Sequence, residues 1–249
     1  MIQKDIVQGL LFDFGGTIDT GGLHWLHVLY PLWQQRIAGL DEQLYRSAFA
    51  HGERTLAMEP IITATDNFLD LLEKKLAIQA DKLKASGIAT TIRDQKWIAD
   101  QAYQIAADNC QNHRLIIEGL KAHYRVAMVS NFYGNLSTVL YDFGILDLFE
   151  TLTESALVGV KKPDPAIWHL GAESLGIAPE NLIAIGDSLK KDMEPATSIG
   201  CQGIWLQGRG WEDSADAALP ELIKDTASLG GPRQNIQPIQ HLKALEAIL

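Results

Sequence analysis

The sequence predicts an α/β fold with a parallel sheet and a long helical insert, and three observations lead to this class. Short apolar runs with the length of buried strands recur along the chain, at residues 5–13, 124–129, 182–185 and 203–206. Helical patterns separate the later runs, and a stretch from about residue 23 to 112 has helical spacing almost without strand signals. Alternating strands and helices are typical of right-handed βαβ units, which form a parallel sheet covered on both faces.

The predicted strands are each followed by polar or glycine residues. The first strand ends at Asp13, and the pair Gly15–Gly16 breaks it at once. The second ends at Ser130–Asn131, and the third ends at Gly186–Asp187–Ser188. Because ligands of open α/β sheets bind at the carboxyl ends of the strands, these residues are the first candidates for a functional site.

The predicted helices follow from apolar residues at helical spacing. In the insert this spacing is clear at Phe68, Leu69, Leu72 and Leu76. After it, helices are expected at 165–176 and 189–200, and the tail from about residue 213 is expected to be a closing loop followed by a helix at 237–248. The predicted division is therefore an α/β core of residues 1–19 and 113–249, with a helical cap of residues 20–112 above the carboxyl ends of the strands.

Composition excludes several classes of function. The chain has 249 residues and a net charge of −10, so nucleic acid and anionic membrane surfaces are not expected partners. No apolar run approaches the roughly 20 residues of a membrane span, and no basic and apolar leader is expected at the N-terminus. The two cysteines, Cys110 and Cys201, lie in unrelated contexts. A reducing, cytoplasmic location is therefore expected, and the oligomeric state is left open.

Four polar segments stand in a distinctive order along the chain. They are Asp13-Phe14-Gly15-Gly16-Thr17, then Ser130 at a strand end, then Lys162 directly before Pro163, and then Gly186-Asp187-Ser188 with Asp192 five residues after Asp187. In this order they resemble the four motifs of the haloacid dehalogenase (HAD) superfamily. The resemblance extends from residue 5 to about residue 210 and implies a Rossmann-like core with a helical cap between the first and second motifs.

The resemblance also implies a reaction and the residues that perform it. The implied reaction is phosphoryl transfer from a small phosphorylated substrate through an aspartyl-phosphate on Asp13, with Mg²⁺ as the cofactor. The implied catalytic residues are Asp13, Lys162 and Ser130. The implied phosphate-binding residues are Ser130, Asn131, Lys162 and Thr17. The implied metal ligands are Asp13, the backbone carbonyl of Gly15 and Asp187, while Asp192 would orient Lys162 or support the metal site.

Gly15 departs from the first motif, which is usually Asp-x-Asp-Gly-Thr. In the family the second aspartate protonates the leaving group and then activates water, and its backbone carbonyl binds the metal. Glycine retains the carbonyl and lacks the carboxylate, so we expect metal binding to survive and proton transfer to suffer, typically by about 10²–10⁴ in rate. The substrate then has a good leaving group, or a cap or loop residue replaces the acid, or the activity is residual.

Three alternatives to a phosphatase follow from the same departure. The first is a catalytically impaired module that binds a ligand or a protein. The second resembles phosphonoacetaldehyde hydrolases, with Lys74, Lys75, Lys82 or Lys84 forming a Schiff base, although their spacing is typical of a solvated helix face. The third resembles haloacid dehalogenases, which need no metal and whose fourth motif lacks the Gly-Asp pair.

Three residues just after the first motif allow two interpretations each. His24 and His27 follow a Gly-Gly turn and could overhang the site, or His24-Trp25 could begin the first helix of the insert. Asp19 is expected to hold the loop or to cap a helix rather than to take part in chemistry.

Overall fold

A six-stranded parallel sheet forms the centre of the computed structural model, which describes residues 2–213 and 235–249. Its strands are β1 (Gly9–Phe12), β2 (Arg125–Ser130), β3 (Thr151–Glu154), β4 (Leu182–Gly186), β5 (Gln202–Leu206) and β6 (Ile236–Ile239). Their order in the sheet is β3-β2-β1-β4-β5-β6, and each neighbouring pair is parallel. β1 lies between β2 and β4, with Phe12 in register with Met128 and Ile185. The α/β fold class is therefore confirmed.

Four helices connect β1 to β2. They are α1 (Trp25–Arg36), α2 (Glu42–Met58), α3 (Phe68–Ala85) and α4 (Ile92–Lys121). Each begins at a polar cap, and α3 and α4 have complete capping boxes in which Asn67 pairs with Asp70 and Thr91 with Asp94. These reciprocal bonds satisfy backbone N–H groups that the first helical turn would otherwise leave unpaired.

The remaining helices of the described chain cover the sheet and its edges. They are α5 (Leu136–Asp142), α6 (Ser155–Val158), α7 (Ala166–Leu175), α8 (Glu194–Ser198) and α9 (Leu245–Ile248), and a π-helical turn (Leu189–Met193) precedes α8. Successive side chains of β1 face opposite layers, as the pleat requires. Leu11 packs with Trp168 of α7 on one face, whereas Leu10 and Phe12 belong to the core shared with the insert.

The structure corrects several predicted elements. The predicted first strand at 5–13 is shorter, because Lys4–Ile6 form a 3-10 turn. The sequence missed β3, and the predicted final helix at 237–248 is wrong in its first part, where β6 stands. The closing loop predicted before it lies largely at residues 214–234, outside the described residues. The expected helix at 189–200 begins as a π turn.

The boundary between core and insert stays a prediction. The predicted limit after residue 112 falls inside α4, which continues to Lys121. Buried residues of the insert, such as Trp33 and Tyr45, also belong to the same apolar cluster as Phe12 of the sheet. Within the two ranges described, no helix combines the length and the apolar character that crossing a bilayer requires.

Two glycines in helices provide a matched test of the packing. A Cβ atom on Gly171 of α7 would lie 2.5 Å from Cγ2 of the buried Val129, whereas a Cβ atom on the exposed Gly119 of α4 would meet nothing within 4 Å. We therefore expect Gly171→Ala to destabilise the fold by about 1–3 kcal/mol. Gly119→Ala should stabilise it by about 0.4–1 kcal/mol. Urea unfolding measures both, and equal effects of the two substitutions would contradict the packing of α7 on β2.

Candidate active site

Adjacent strands bring the predicted motifs to one edge of the sheet. Asp13 follows β1, Ser130 ends β2, and Asp187 follows β4. Because β1 lies between β2 and β4 in the sheet, the carboxyl ends of these three strands are neighbours. Ser130 is buried at this edge, in register with Glu154 of β3. Open parallel sheets bind ligands at this edge, which makes it the candidate site.

Lys162 is the centre of an ion-pair network. Its Nζ atom lies 2.5 Å from Oδ1 of Asp13 and 2.7 Å from Oδ1 of Asp192, and all three side chains are at most 8% exposed. Burial opposes the charge of Lys162, but the two carboxylates outweigh that effect and raise its pKa. The same ammonium group lies 4.5 Å from the ring centre of Trp168, in the geometry of a cation–π contact.

The side chain of Asn131 holds the loop that carries Lys162. Its Oδ1 atom accepts a hydrogen bond from the Lys162 backbone N–H at 2.8 Å, and its Nδ2 atom donates to the Lys162 carbonyl at 3.1 Å. The resemblance implied that Asn131 binds phosphate, and nothing in the sequence indicated this side-chain role. No local pattern could have revealed it, because the two residues are 31 positions apart.

Asp192 lies in the π turn and accepts bonds on both oxygens. Oδ1 accepts from Lys162, and Oδ2 accepts from the Ser188 backbone N–H at 2.9 Å. A Cβ atom on Gly186 would lie 2.6 Å from the Asp192 carboxylate, so only glycine leaves room for it. The predicted support of Lys162 by Asp192 is compatible with this geometry. π turns are often found at functional sites, and here the turn directs Asp192 toward Lys162.

Three carboxylates lie close enough to hold a cation. Asp13, Asp187 and Asp192 each offer an oxygen, and these atoms lie within 4.8 Å of one another. Burial raises the pKa of Asp13 to about 6 despite Lys162. Burial, followed by the charges of Asp192 and Asp13, raises the pKa of Asp187 well above its ordinary value. Hard oxygen donors whose charges repel each other suit a divalent cation such as Mg²⁺, so the residues fit the implied cofactor.

Thr17 bridges two of these carboxylates. Its hydroxyl donates to Oδ2 of Asp13 at 3.0 Å and lies 3.4 Å from Oδ1 of Asp187. Thr17 is fully buried, so this hydroxyl fixes the orientation of Asp13 within the loop. A direct contact of Thr17 with phosphate stays a prediction.

The two glycines of the first motif differ in what they allow. Gly16 has φ +96°, and a Cβ atom there would lie 2.6 Å from Oδ2 of Asp187, so this position requires glycine. Gly15 has no positive φ, and a Cβ atom there would meet nothing within 4 Å. The backbone at position 15 therefore tolerates a Cβ atom, in contrast to position 16.

Asp19 holds the loop by accepting on both oxygens. Oδ1 accepts from the Gly16 backbone N–H, and Oδ2 accepts from Nε1 of Trp25, each at 2.7 Å. Burial raises the pKa of Asp19 to about 7, although both hydrogen bonds favour the carboxylate. Both oxygens accept a hydrogen bond, which fits the loop-anchoring role that the sequence indicated for Asp19.

Neither histidine near the first motif is a charged acid at neutral pH. Nδ1 of His24 accepts from the Leu26 backbone N–H and caps α1, and burial lowers the pKa of His24 to about 4. Nε2 of His27 is 2.7 Å from the Gly210 carbonyl, and burial lowers its pKa as well. The structure thus favours the interpretation in which His24-Trp25 begins the first helix of the insert.

The expectation of a solvated lysine face on α3 is wrong for Lys75. This side chain is buried and forms an ion pair with Glu53 of α2 at 2.7 Å. Lys74 and Lys84 are exposed enough to fit the expectation. Burial opposes the charge of Lys75, but Glu53 outweighs it and raises the pKa. An ammonium group that is held protonated is a poor amine for a Schiff base.

Comparison with known proteins agrees with this fold. The sequence model of haloacid dehalogenase-like hydrolases matches residues 7–200. The bovine (Bos taurus) haloacid dehalogenase-like hydrolase domain-containing protein 3 is 29% identical over 126 residues, which are 47% of this chain and 50% of that protein. A phosphoglycolate phosphatase of Pectobacterium atrosepticum is 29% identical over 236 residues, covering 90% of this chain and 91% of that protein.

The match to solved structures covers nearly the whole chain. The magnesium-bound HAD-hydrolase YfnB of Bacillus subtilis has a TM-score of 0.54 at 19% identity, with 98% of each chain covered. At that identity the likeness shows the fold alone. The first curated relatives are matched over half of their length or less. The family match nevertheless spans more than half of this chain, and the chain belongs to the haloacid dehalogenase-like hydrolases.

Proposed function

We propose that this hydrolase is a Mg²⁺-dependent phosphatase of a small phosphorylated metabolite that acts through an aspartyl-phosphate on Asp13. The observation that carries the proposal is the pairing of Asp13 with Lys162 at 2.5 Å beside Asp187. A carboxylate nucleophile needs an adjacent cation to approach an anionic phosphate. Lys162 supplies one cation, and the remaining carboxylate oxygens of Asp13 and Asp187 can bind a metal ion as a second.

Each residue of the site has a defined part in this reaction. Asp13 attacks phosphorus, a bond from its carboxylate oxygen to phosphorus forms, and the bond from phosphorus to the leaving oxygen breaks. Lys162 balances negative charge on the phosphoryl oxygens. The hydroxyl group of Ser130, at the end of β2, donates a hydrogen bond to one of these oxygens. Water then hydrolyses the aspartyl-phosphate and regenerates the Asp13 carboxylate. Mg²⁺, held by Asp13, Asp187 and the Gly15 carbonyl, would supply electrostatic compensation between nucleophile and phosphate.

Position 15 limits which substrates are turned over well. Glycine gives no proton to the leaving oxygen, and burial lowers the pKa of His24 and of His27, so neither is a charged acid at neutral pH. We infer that the preferred substrates have leaving groups that need little protonation, such as acyl or aryl phosphates. The phosphoglycolate and phosphoserine phosphatases to which the chain is similar support a phosphate substrate, and they do not identify which one.

A ligand-binding or protein-binding module without catalysis is the second candidate. The glycine at position 15 favours it, whereas the buried ion pair of Asp13 and Lys162 opposes it, since a binding module has no need of a nucleophile. The three clustered carboxylates argue against a metal-independent haloacid dehalogenase. The protonated Lys75 argues against this residue as the Schiff-base amine, and borohydride trapping with phosphonoacetaldehyde tests all four candidate lysines.

The proposal predicts phosphate release that depends on both Mg²⁺ and Asp13. Wild-type protein should release phosphate from acetyl phosphate and p-nitrophenyl phosphate faster than from alkyl phosphates, because the missing acid penalises poor leaving groups. Asp13→Asn should reduce release to the uncatalysed background. Release that is unchanged in Asp13→Asn would exclude the aspartyl-phosphate, and no release on any substrate would favour the binding module.

Gly15→Asp should restore the missing acid. A Cβ atom at position 15 meets nothing within 4 Å, and the backbone there has no positive φ. Turnover of alkyl phosphates should rise by up to about 10²–10⁴-fold, while p-nitrophenyl phosphate should gain little. Gly15→Asn is the matched control, since it has the same shape and no acidic proton. Equal gains in both variants would show that shape, and not proton transfer, limits the wild-type protein.

Mg²⁺ should stabilise the fold through Asp187. At about 100 times its dissociation constant, bound Mg²⁺ should add about 2.7 kcal/mol. For a chain of this length that is about 5–10 °C in Tm. Asp187→Asn should raise the Tm without Mg²⁺, because it removes one of three repelling carboxylates, and should abolish the response to Mg²⁺. Differential scanning calorimetry measures both, and a full Mg²⁺ response in Asp187→Asn would contradict the assigned ligand.

A further inference from the structure

A buried carboxylate stands at the carboxyl end of β3 without a cation beside it. Glu154 is 2% exposed and lies in register with Ser130 of β2. In the part of the chain that the structure describes, no lysine, arginine or histidine forms an ion pair with it. A carboxylate is costly to bury without a cation, so the hydrogen bonds of Glu154 have to offset this cost.

The partners of Glu154 are backbone N–H groups of the segment that follows β2. We call residues 131–136 the β2 loop; its last residue, Leu136, begins α5. The Gly134 N–H donates to Oε1 of Glu154 at 2.5 Å, and the Leu136 N–H donates to both oxygens at 3.3 and 3.4 Å. Hydrogen bonds to an ionised acceptor are roughly twice as strong as neutral ones. Glu154 therefore fixes the second half of the β2 loop.

The next residue of the chain holds the first half of the β2 loop. Oγ of Ser155 accepts from the Phe132 N–H at 3.1 Å and donates to the Phe132 carbonyl at 3.3 Å. We call Glu154 and Ser155 the β3 clamp. The clamp binds the backbone of the loop at every second residue, at Phe132, Gly134 and Leu136, so the loop is held along its whole length.

The β2 loop reaches the candidate active site at three points. It directly follows Ser130, which ends β2. The Asn131 side chain binds both backbone polar groups of Lys162. The Phe132 ring packs edge-on against Phe14, the residue after the nucleophile, at 5.8 Å. A shift of this loop would therefore move the serine hydroxyl and the lysine backbone together.

The carboxylates assigned to the metal are held by other elements. Asp13 follows β1 and Asp187 follows β4, and β1 separates β4 from β2 in the sheet. The side-chain hydrogen bonds of these two carboxylates in the described chain run to Thr17 and Lys162. The β3 clamp thus adjoins the phosphate-binding side of the site, on β2, and not the ligands on β1 and β4.

We propose that Glu154, assisted by Ser155, is a positioning residue that sets the β2 loop and, through it, the Ser130 hydroxyl and Lys162 for the phosphoryl group. The inference rests on the proposed phosphatase function for what those two groups do. Glu154 itself touches neither substrate nor metal, and it acts through the backbone of the loop.

Glu154→Gln is the principal variant, because glutamine keeps the length of the side chain and one acceptor oxygen. Its NH₂ group would face a backbone N–H, and two donors cannot bond to each other. With p-nitrophenyl phosphate and Mg²⁺, kcat should fall by about 10–100-fold, since a displacement of about 1 Å in a catalytic group can cost that much. Calorimetric titration should show inorganic phosphate binding about tenfold more weakly with Mg²⁺ present. Mg²⁺ titrated alone should bind within about twofold of wild type.

Ser155→Ala tests the same clamp by a milder change. It removes the two bonds to Phe132 and should lower kcat and phosphate affinity about fivefold each, again with Mg²⁺ affinity retained. Glu150→Gln is the matched control at the other end of β3. The Glu150 side chain is 35% exposed and pairs with Arg125, and exposed pairs contribute little, so both quantities should stay within about twofold.

Two results separate this inference from the proposed function. If both clamp variants have a lower Tm but wild-type kcat and phosphate affinity in the folded protein, the clamp is merely structural and the inference is overturned, while Asp13-dependent turnover still supports the phosphatase. If the clamp variants lose phosphate affinity and keep Mg²⁺ affinity, but wild-type protein turns over no phosphate ester, the phosphatase fails and the positioning role stands. Equal losses of phosphate and Mg²⁺ affinity would indicate general distortion and would also overturn the inference.

Discussion

The candidate site depends on one ammonium group placed among buried carboxylates. Lys162 contacts Asp13 and Asp192 at 2.5 and 2.7 Å, and without it their like charges would lie together out of water. Leaving a buried charge uncompensated costs several kcal/mol, so the whole carboxyl edge of the sheet depends on this lysine being present and correctly oriented. The Asn131 amide and the Trp168 ring restrict its backbone and its head group.

The same arrangement leaves the site short of positive charge. Three carboxylates face one lysine, and burial, reinforced by the like charges of Asp192 and Asp13, strains the charged form of Asp187 and raises its pKa. Such electrostatic strain is common at functional sites. It lowers the stability of the unliganded protein, and a bound ligand that supplies the missing charge relieves it. A divalent cation and a phosphate together would bring the charges in this region closer to balance, which is why the geometry suits phosphoryl transfer better than a passive structural role.

The insert contains a second buried lysine that pairs with a carboxylate, but the net charge of that pair differs from the charge of the site. Lys75 is buried and paired with Glu53, as Lys162 is paired with Asp192. In the site the extra carboxylate of Asp13 makes the cluster anionic and suited to a metal, whereas the pair of Lys75 and Glu53 in the insert is neutral.

Local patterns were sufficient for the central strands and for the order of the motifs. β1, β2 and β4 are apolar runs that end in polar residues, so their positions and the candidates Asp13, Ser130 and Asp187 could be predicted without any long-range contact. The two edge strands were missed because an edge strand pairs on one side only and carries a weaker apolar signal; β6 even contains Pro238.

By itself the sequence determined the α/β class, the helical insert, the residue types of the site and the missing carboxylate at position 15. Only the tertiary structure decided that Asn131 anchors Lys162, that Asp19 is occupied on both oxygens, and that Lys75 is buried against Glu53. The physical reason is that periodicity and turn chemistry act over a few residues. The partner of a side chain is instead set by how distant segments pack, and a lysine on a helix face looks the same in sequence whether water or a carboxylate lies opposite.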